Sequence, residues 1–334
     1  MASDGLPSLR ICVAGAGSIG CFVGGLLVAA GHDVCFLARS KVIDAVTQDG
    51  LRLTDYDGLD LQLTDIAMRE DAQAALSGAD LVLVCVKSGD TAAIAKQIAT
   101  HASGAQVVSL QNGVANAATL REALPRADVR AAMVPFNVVP RGPATYHRGT
   151  SGDILVEAGP LPALSSPHLI WKSHSDIAAV QWGKLLINLG NAVNALSDLP
   201  LLEQLQSRAW RRLMADQMSE ALRVLKAAGI TPGKVTAAHP ALIPHILRLP
   251  TPLFRLIAAR MLTVDAQARS SMWDDLRQGR RTEVDALQGT ILALAARYGR
   301  QAPFNARMHR LIKQAEAAGS GPPGLSPKDI RSQA

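Results

Sequence analysis

The sequence predicts two domains, an α/β domain built on a parallel sheet followed by an all-α domain. Three observations carry that prediction. An apolar strand, Leu9 to Ala14, runs into Gly15-Ala16-Gly17-Ser18-Ile19-Gly20 and then into a helix-like stretch from Cys21 to Ala30. Strand-like and helix-like segments then alternate, as they do where a parallel sheet is being built. From about Asp176 strand character is lost and helical periodicity takes over. The length of 334 residues also exceeds what one hydrophobic core usually serves.

The opening strand–turn–helix has the pattern G-x-G-x-x-G in the context that gives it meaning. Gly15 permits the tight turn, Gly17 lets a pyrophosphate approach the backbone, and Gly20 lets the helix pack against the strand. The free N–H groups and positive end of the helix hold phosphates, so Gly15 to Gly20 predict a Rossmann-type dinucleotide site. A second strand, Asp33 to Ala38, ends at Arg39, with no acid until Asp44. An acid there would take a ribose 2′-hydroxyl, whereas an arginine favours the 2′-phosphate of NADP. Arg39 is thus either a phosphate ligand, pointing to NADPH, or a solvated cation.

Leu51 to Leu63 is a short β-like excursion broken by the turn residues Asp57-Gly58. Ala79 to Val86 is a near-continuous apolar run, as a buried parallel strand requires. It stops at Lys87-Ser88-Gly89-Asp90, and ligands of open α/β sheets sit at such carboxyl ends. Gln106 to Leu110 is the next strand and ends at Gln111-Asn112-Gly113, where Asn112 is a turn residue or a site residue. Met133 to Val139, Thr145 to His147 and Ile154 to Glu157 read as further strands, partly antiparallel. The Pro/Gly/Ser-rich stretch Gly159 to Pro167 marks the edge of a first domain taken as residues 1–175.

Helices are predicted at Ile177 to Leu196, Ser207 to Ala228, Ala241 to Leu249, Leu253 to Leu262, Val284 to Tyr298 and Asn305 to Ala318, with Gly and Pro between them. They form a substrate and dimerisation domain, 176–318, followed by a flexible tail, 319–334. In the first helix Lys184, Asn188 and Asn191 are spaced i, i+4, i+7 and line one face among apolar neighbours. Such a stripe needs polar partners or water, which a ligand or a helix–helix contact would supply. Thr282 and Asp285 have capping-like spacing, which puts Glu283 in the first turn of a helix, as a site residue or a surface acid.

Hydrophobic residues make up 48% of the chain and aromatics only 4%, so aliphatic residues and alanine must build the cores. No apolar run reaches the roughly 18 residues of a membrane span, and the start lacks a signal-peptide pattern, which predicts a cytoplasmic protein. The net charge is +6, yet no dense basic run with interleaved aromatics appears, which argues against nucleic acid. Arg208, Arg211 and Arg212, and likewise Arg277, Arg280 and Arg281, read as solvated helix faces. The basic balance suits an anionic cofactor and a carboxylate substrate. Cys12, Cys21, Cys35 and Cys85 read as buried free thiols, and their spacing suits no metal site.

Gly15-x-Gly17-x-x-Gly20, Gln111-Asn112-Gly113, Lys184-Leu-x-x-Asn188, Ser270-Ser271-Met-x-x-Asp275 and Arg281-Thr282-Glu283 occur in one order over about residues 9–315. Together they resemble the ketopantoate reductase (2-dehydropantoate 2-reductase) family. The resemblance implies a Rossmann domain and a helical domain of the 6-phosphogluconate dehydrogenase C-terminal type, with the active site in the cleft. It implies NADPH-dependent reduction of 2-dehydropantoate to (R)-pantoate, a step towards pantothenate and coenzyme A. By the same resemblance Lys184 is the general acid, and Glu283 orients the substrate beside the cofactor. Asn112, Asn188 and Ser271, with Asn191 beside them, form the polar substrate pocket, and Arg39 and Lys87 lie at the adenosine end of the cofactor. Many members carry a further asparagine where this chain has Ala192, which leaves another 2-oxo acid as the alternative substrate. A cofactor-binding sensor without turnover is a third reading, opposed by the presence of both Lys184 and Glu283. The apolar helical domain is compatible with a homodimer.

Overall fold

The computed structural model describes residues 9–236, 238–259 and 267–332. The chain divides between Ile177 and Ala178 into two compact units.

In the first unit β1 (Arg10–Ala14), β2 (Asp33–Leu37), β3 (Leu51–Asp55), β4 (Asp60–Leu63), β5 (Ala67–Arg69), β6 (Leu81–Val84), β7 (Gln106–Ser109), β8 (Val129–Met133), β9 (Val138–Pro140), β10 (Thr145–Arg148), β11 (Ile154–Glu157) and β12 (Trp171–His174) form two sheets. The larger has the order β12-β11-β8-β7-β6-β1-β2-β5. It is parallel except where β8 meets β11. Ile11, Cys12, Val13 and the whole of β6 are buried, which explains why these strands are apolar without alternation. From β1 the chain builds outward through β2 on one side and through β6, β7 and β8 on the other. The order therefore reverses between β1 and β6, the place where such sheets open a crevice for ligands.

The excursion at Leu51 to Leu63 is a hairpin, and with β9 and β10 it makes a separate four-stranded sheet, β4-β3-β10-β9. The helix Ser18–Ala29 touches both sheets, so it needs small residues on two faces. A Cβ on Gly24 would lie 2.4 Å from the Phe36 ring, and one on Gly25 would lie 2.8 Å from Leu53. Arg148 pins the region. Its guanidinium donates to Asp55 at 2.6 Å and to the His168 carbonyl at 2.8 Å, and faces the rings of Phe22, Tyr56 and Phe136. The expected strand from Met133 to Val139 is instead the end of β8 and the start of β9, with Val134 to Asn137 outside both.

The second unit is helical. Its longest helix, Arg208–Ala227, places Leu213, Ala221, Val224 and Leu225 in the core. One expectation fails here: Arg211 is not on a solvated face but is fully buried. Its five donors explain how. They reach the carbonyls of Leu205, Leu247 and Leu249 and the hydroxyl of Thr251, while the guanidinium lies 4.1 Å from the Phe254 ring centroid. The predicted helix from Leu253 appears as Thr251–Ile257, and its expected end at Leu262 lies outside the described residues. A short helix at Leu201–Gln206 lies outside the predicted set, and of the second arginine group only Arg277 is on a helix, Ser271–Arg277, since that helix ends in a turn at Gln278-Gly279 and leaves Arg280 and Arg281 beyond it.

The expected flexible tail is also corrected. Residues 319–332 return to the unit, with the Leu325 amide bonded to the Leu196 carbonyl at 2.8 Å. The helix Pro327–Ser332 then docks by fully burying Ile330. The Gly-Pro composition reads as disorder, but one apolar anchor and its backbone bonds outweigh it. Among the described residues no helix is long and apolar enough to cross a membrane.

Candidate functional site

The glycine turn lies at the β1–β6 switch point. Gly15 has φ +114°, and a Cβ there would meet the Val86 nitrogen at 2.7 Å. A Cβ on Gly20 would sit 2.0 Å from the Gly15 carbonyl oxygen. The chain itself therefore demands both glycines. Around Gly17 nothing lies within 4 Å of the corresponding point, so the chain leaves that space clear. The first bond of the following helix runs from the Cys21 N–H to the Gly17 carbonyl at 2.8 Å, which puts the amides of Ser18, Ile19 and Gly20 ahead of it. That helix has no side-chain cap and no acid in its first turn. Clear space, amides at the helix start and an uncancelled dipole fit the pyrophosphate of a dinucleotide. Ala16 turns inward, its carbonyl accepting from the Cys21 thiol at 3.3 Å. Arg39 is exposed at the end of β2.

The loops after β6 and β7 are held together by a polar web that the sequence reading missed. The Gln111 amide donates to the Val86 carbonyl at 3.0 Å and to the Thr91 hydroxyl at 2.8 Å. The Thr91 hydroxyl donates to Asn116 Oδ1 at 2.9 Å. Asn116 Nδ2 donates to the Asn112 carbonyl at 2.6 Å and to the Ser88 hydroxyl at 3.1 Å, and Ser88 in turn donates to the Asn112 carbonyl. Thr91, Gln111 and Asn116 are buried. The web fixes the backbones that carry Lys87 and Asn112 and brings those two loops together. Polar side chains at Gln111 and Asn116, beside an apolar strand, were the available signal.

In the second unit Lys184 and Asn188 share the helix Ile177–Asn188, one turn apart. Packing fixes the helix near Lys184: a Cβ on Gly183 would lie 2.1 Å from the Gly233 carbonyl oxygen. The helix breaks at Leu189 and resumes as Gly190–Ser197, where Asn191 offers its carbonyl to the Ser270 hydroxyl at 3.2 Å. The cause is local. Leu189 bonds back to Leu185, Ala192 bonds to Leu189 over three residues, and Gln288 Nε2 donates to the Leu189 carbonyl at 3.0 Å. Asn194, with the same polar character, is fully buried and structural, bonding Leu199, Gln204 and the Ser270 amide.

Ser270 caps the helix Ser271–Arg277 by accepting from the Trp273 amide, while Ser271 is the exposed first residue. Glu283 stands just before a helix rather than in its first turn, and a π-helical turn follows at Asp285–Gly289. Its flanks are clamped. The Thr282 amide and hydroxyl both donate to Glu316 at 2.7 Å, and Asp285 pairs with His309 and Lys313. Lys184 and Glu283 are electrostatically coupled. Burial pulls the Lys184 ammonium down from 10.5 to about 8, and the Glu283 carboxylate opposes that shift. The cysteines behave differently: burial pushes the thiols of Cys12 and Cys21 up to about 12 and raises those of Cys35 and Cys85, so none is poised as a nucleophile.

These two arrangements stand on a chain with many relatives. Residues 11–160 match the family described as Ketopantoate reductase PanE/ApbA, and residues 176–316 match its C-terminal counterpart. A crystal structure of a PanE/ApbA family ketopantoate reductase from Ralstonia eutropha JMP134 is 30% identical, covering 93% of this chain and 99% of that one, with a TM-score of 0.78. The chain belongs to the ketopantoate reductase family. A 2-dehydropantoate 2-reductase from Halobacterium salinarum is 28% identical over 93% of this chain and all of its own length. A D-mandelate dehydrogenase solved with NADH and anilino(oxo)acetate shares the fold, with a TM-score of 0.76 at 18% identity over 93% and 99% of the two chains. Members of this family are oxidoreductases, with an α/β sheet domain followed by a helical one.

Proposed function

We propose that this chain reduces 2-dehydropantoate to (R)-pantoate with NADPH, with Lys184 as the general acid. The observation that supports this most is the lowered pKa of Lys184 beside Glu283. NADPH, when bound, supplies the hydride. The Ser18, Ile19 and Gly20 amides bind its pyrophosphate, with the space at Gly17 left for close approach. Arg39 takes the 2′-phosphate, and Lys87 adds charge near the adenosine.

As the carbonyl oxygen of the substrate gains negative charge, a donor must be ready to stabilise it and release a proton. An ammonium titrating near 8 does both at neutral pH, where an ordinary lysine would hold its proton too tightly. Glu283 keeps Lys184 protonated against the pull of burial and orients the substrate. Asn188, one turn further along, and Ser271 offer neutral hydrogen bonds to the substrate carboxylate and hydroxyl.

The test is steady-state oxidation of NADPH by the purified protein with 2-dehydropantoate, with NADH in parallel. Efficient, NADPH-selective turnover is expected. Turnover only with other 2-oxo acids would keep the oxidoreductase chemistry and replace the substrate, the outcome that Ala192 makes the alternative.

A further inference from the structure

The helical unit carries a second concentration of charge that neither Lys184 nor Glu283 helps to line. Two adjoining lobes of about 520 and 340 Å³ share Asp216 and Arg248. The larger also has Arg212, Lys328 and Arg331, and the smaller has Arg223, Arg307 and Glu220. Six cations thus face two carboxylates.

Both carboxylates are already engaged. Asp216 accepts from Arg248 at 2.8 Å through one oxygen and from Arg331 at 2.6 Å through the other. Glu220 is buried and accepts the Phe304 and Asn305 amides and the Asn305 side chain at 2.8–3.0 Å, capping the helix Pro303–Ala318. Its charge answers that helix start rather than the arginines. Arg212, Arg223 and Lys328 are exposed around this core. The basin also depends on the docked tail, since Lys328 and Arg331 come after residue 316, where the family match ends.

The geometry points to a binding site in this basin for a small anion bearing two phosphoryl groups, one in each lobe. Arg248 is held at the junction by Asp216 and the Ser219 hydroxyl, so the exposed Arg212 and Lys328 in one lobe and Arg223 in the other are the cations offered to an anion, and two such lobes suit two linked phosphates better than a single carboxylate. This site is independent of the reaction proposed above.

The test is calorimetric titration of inorganic pyrophosphate into the full chain, repeated with inorganic phosphate. One saturable pyrophosphate site per chain is expected, with phosphate at least tenfold weaker. The exposed double variant Arg212→Gln/Lys328→Gln and, separately, Arg223→Gln should each weaken pyrophosphate at least tenfold while the melting temperature stays put. Gly17→Ala and Arg39→Ala should leave this binding within twofold. The proposal is overturned if pyrophosphate does not saturate or if phosphate binds as tightly. It is equally overturned if binding follows Gly17 and Arg39 instead of the basin, or if a short DNA strand binds there in preference to pyrophosphate.

Discussion

The glycine turn of the first unit and the Lys184 helix of the second solve different problems. The turn is made of backbone: two of its glycines are enforced by the chain and the third by the space it leaves. The helix is made of side chains, and its central property is a lysine whose proton is loosened by burial and held by a carboxylate. A backbone site announces itself, because only one residue type fits. A side-chain site does not, since Asn188 and Asn194 look alike in the sequence while Asn194 serves only the fold.

The sharpest way to break this comparison is to add one carbon at each glycine. Gly20→Ala drives a methyl into the Gly15 carbonyl and should yield little folded protein. Gly17→Ala meets nothing in the chain, so its melting temperature should match that of the parent while NADPH binding falls by roughly tenfold or more. If Gly17→Ala unfolds instead, the space is structural and the cofactor assignment of the turn loses its support. On the helix, Lys184→Ala should retain cofactor binding and lose turnover by roughly 10²–10⁴-fold, as removal of a general acid does. Single-turnover measurement separates the two.

The coupling within the second site is read by pH. Lys184 donates only as the ammonium, which exists below its pKa, so the reduction rate should be level below about 8 and fall above it. Glu283 raises that pKa, so Glu283→Gln should move the alkaline limb to lower pH, whereas a purely structural role would lower the rate without moving the limb. The smallest effect expected is that of Arg39→Ala, roughly tenfold on NADPH affinity and little on NADH, measured as the ratio of the two dissociation constants.

Much of the fold was legible for the same reason as the turn. Strands buried on both faces must be largely apolar, so β1 and β6 stand out, and the hairpin at Asp57-Gly58 follows from its turn residues. What escaped depends on partners distant in sequence. Arg211 looks like any surface arginine until three carbonyls from two other helix ends close around it. The break at Leu189 is completed by Gln288, 99 residues away, and the clamp on the Glu283 segment by Glu316. Of the candidate residues, Lys184 and Asn188 share one helix as the spacing foretold, while Asn191 lies at the start of the next, past that break.

Two of the buried arginines, Arg148 and Arg211, also imply that their surroundings should respond differently to acid. Burial pushes the Asp55 carboxyl up, but the Leu59 amide, the Arg148 guanidinium and the Asp57 amide together hold it below the usual carboxylate range. A carboxylate lowered in the folded state contributes stability above its ordinary pKa of about 3.9, and that stability drains away as pH falls through the folded value. Arg211 has carbonyls and a hydroxyl where Arg148 has a carboxylate, so its hydrogen-bonded partners have no proton to gain. Hydrogen exchange on a descending pH series should therefore show the β3–β10 sheet loosening while the junction around Arg211 still holds. A counterion ties the setting of Arg148 to the acidity of its surroundings; a cage of peptide oxygens frees that of Arg211 from it.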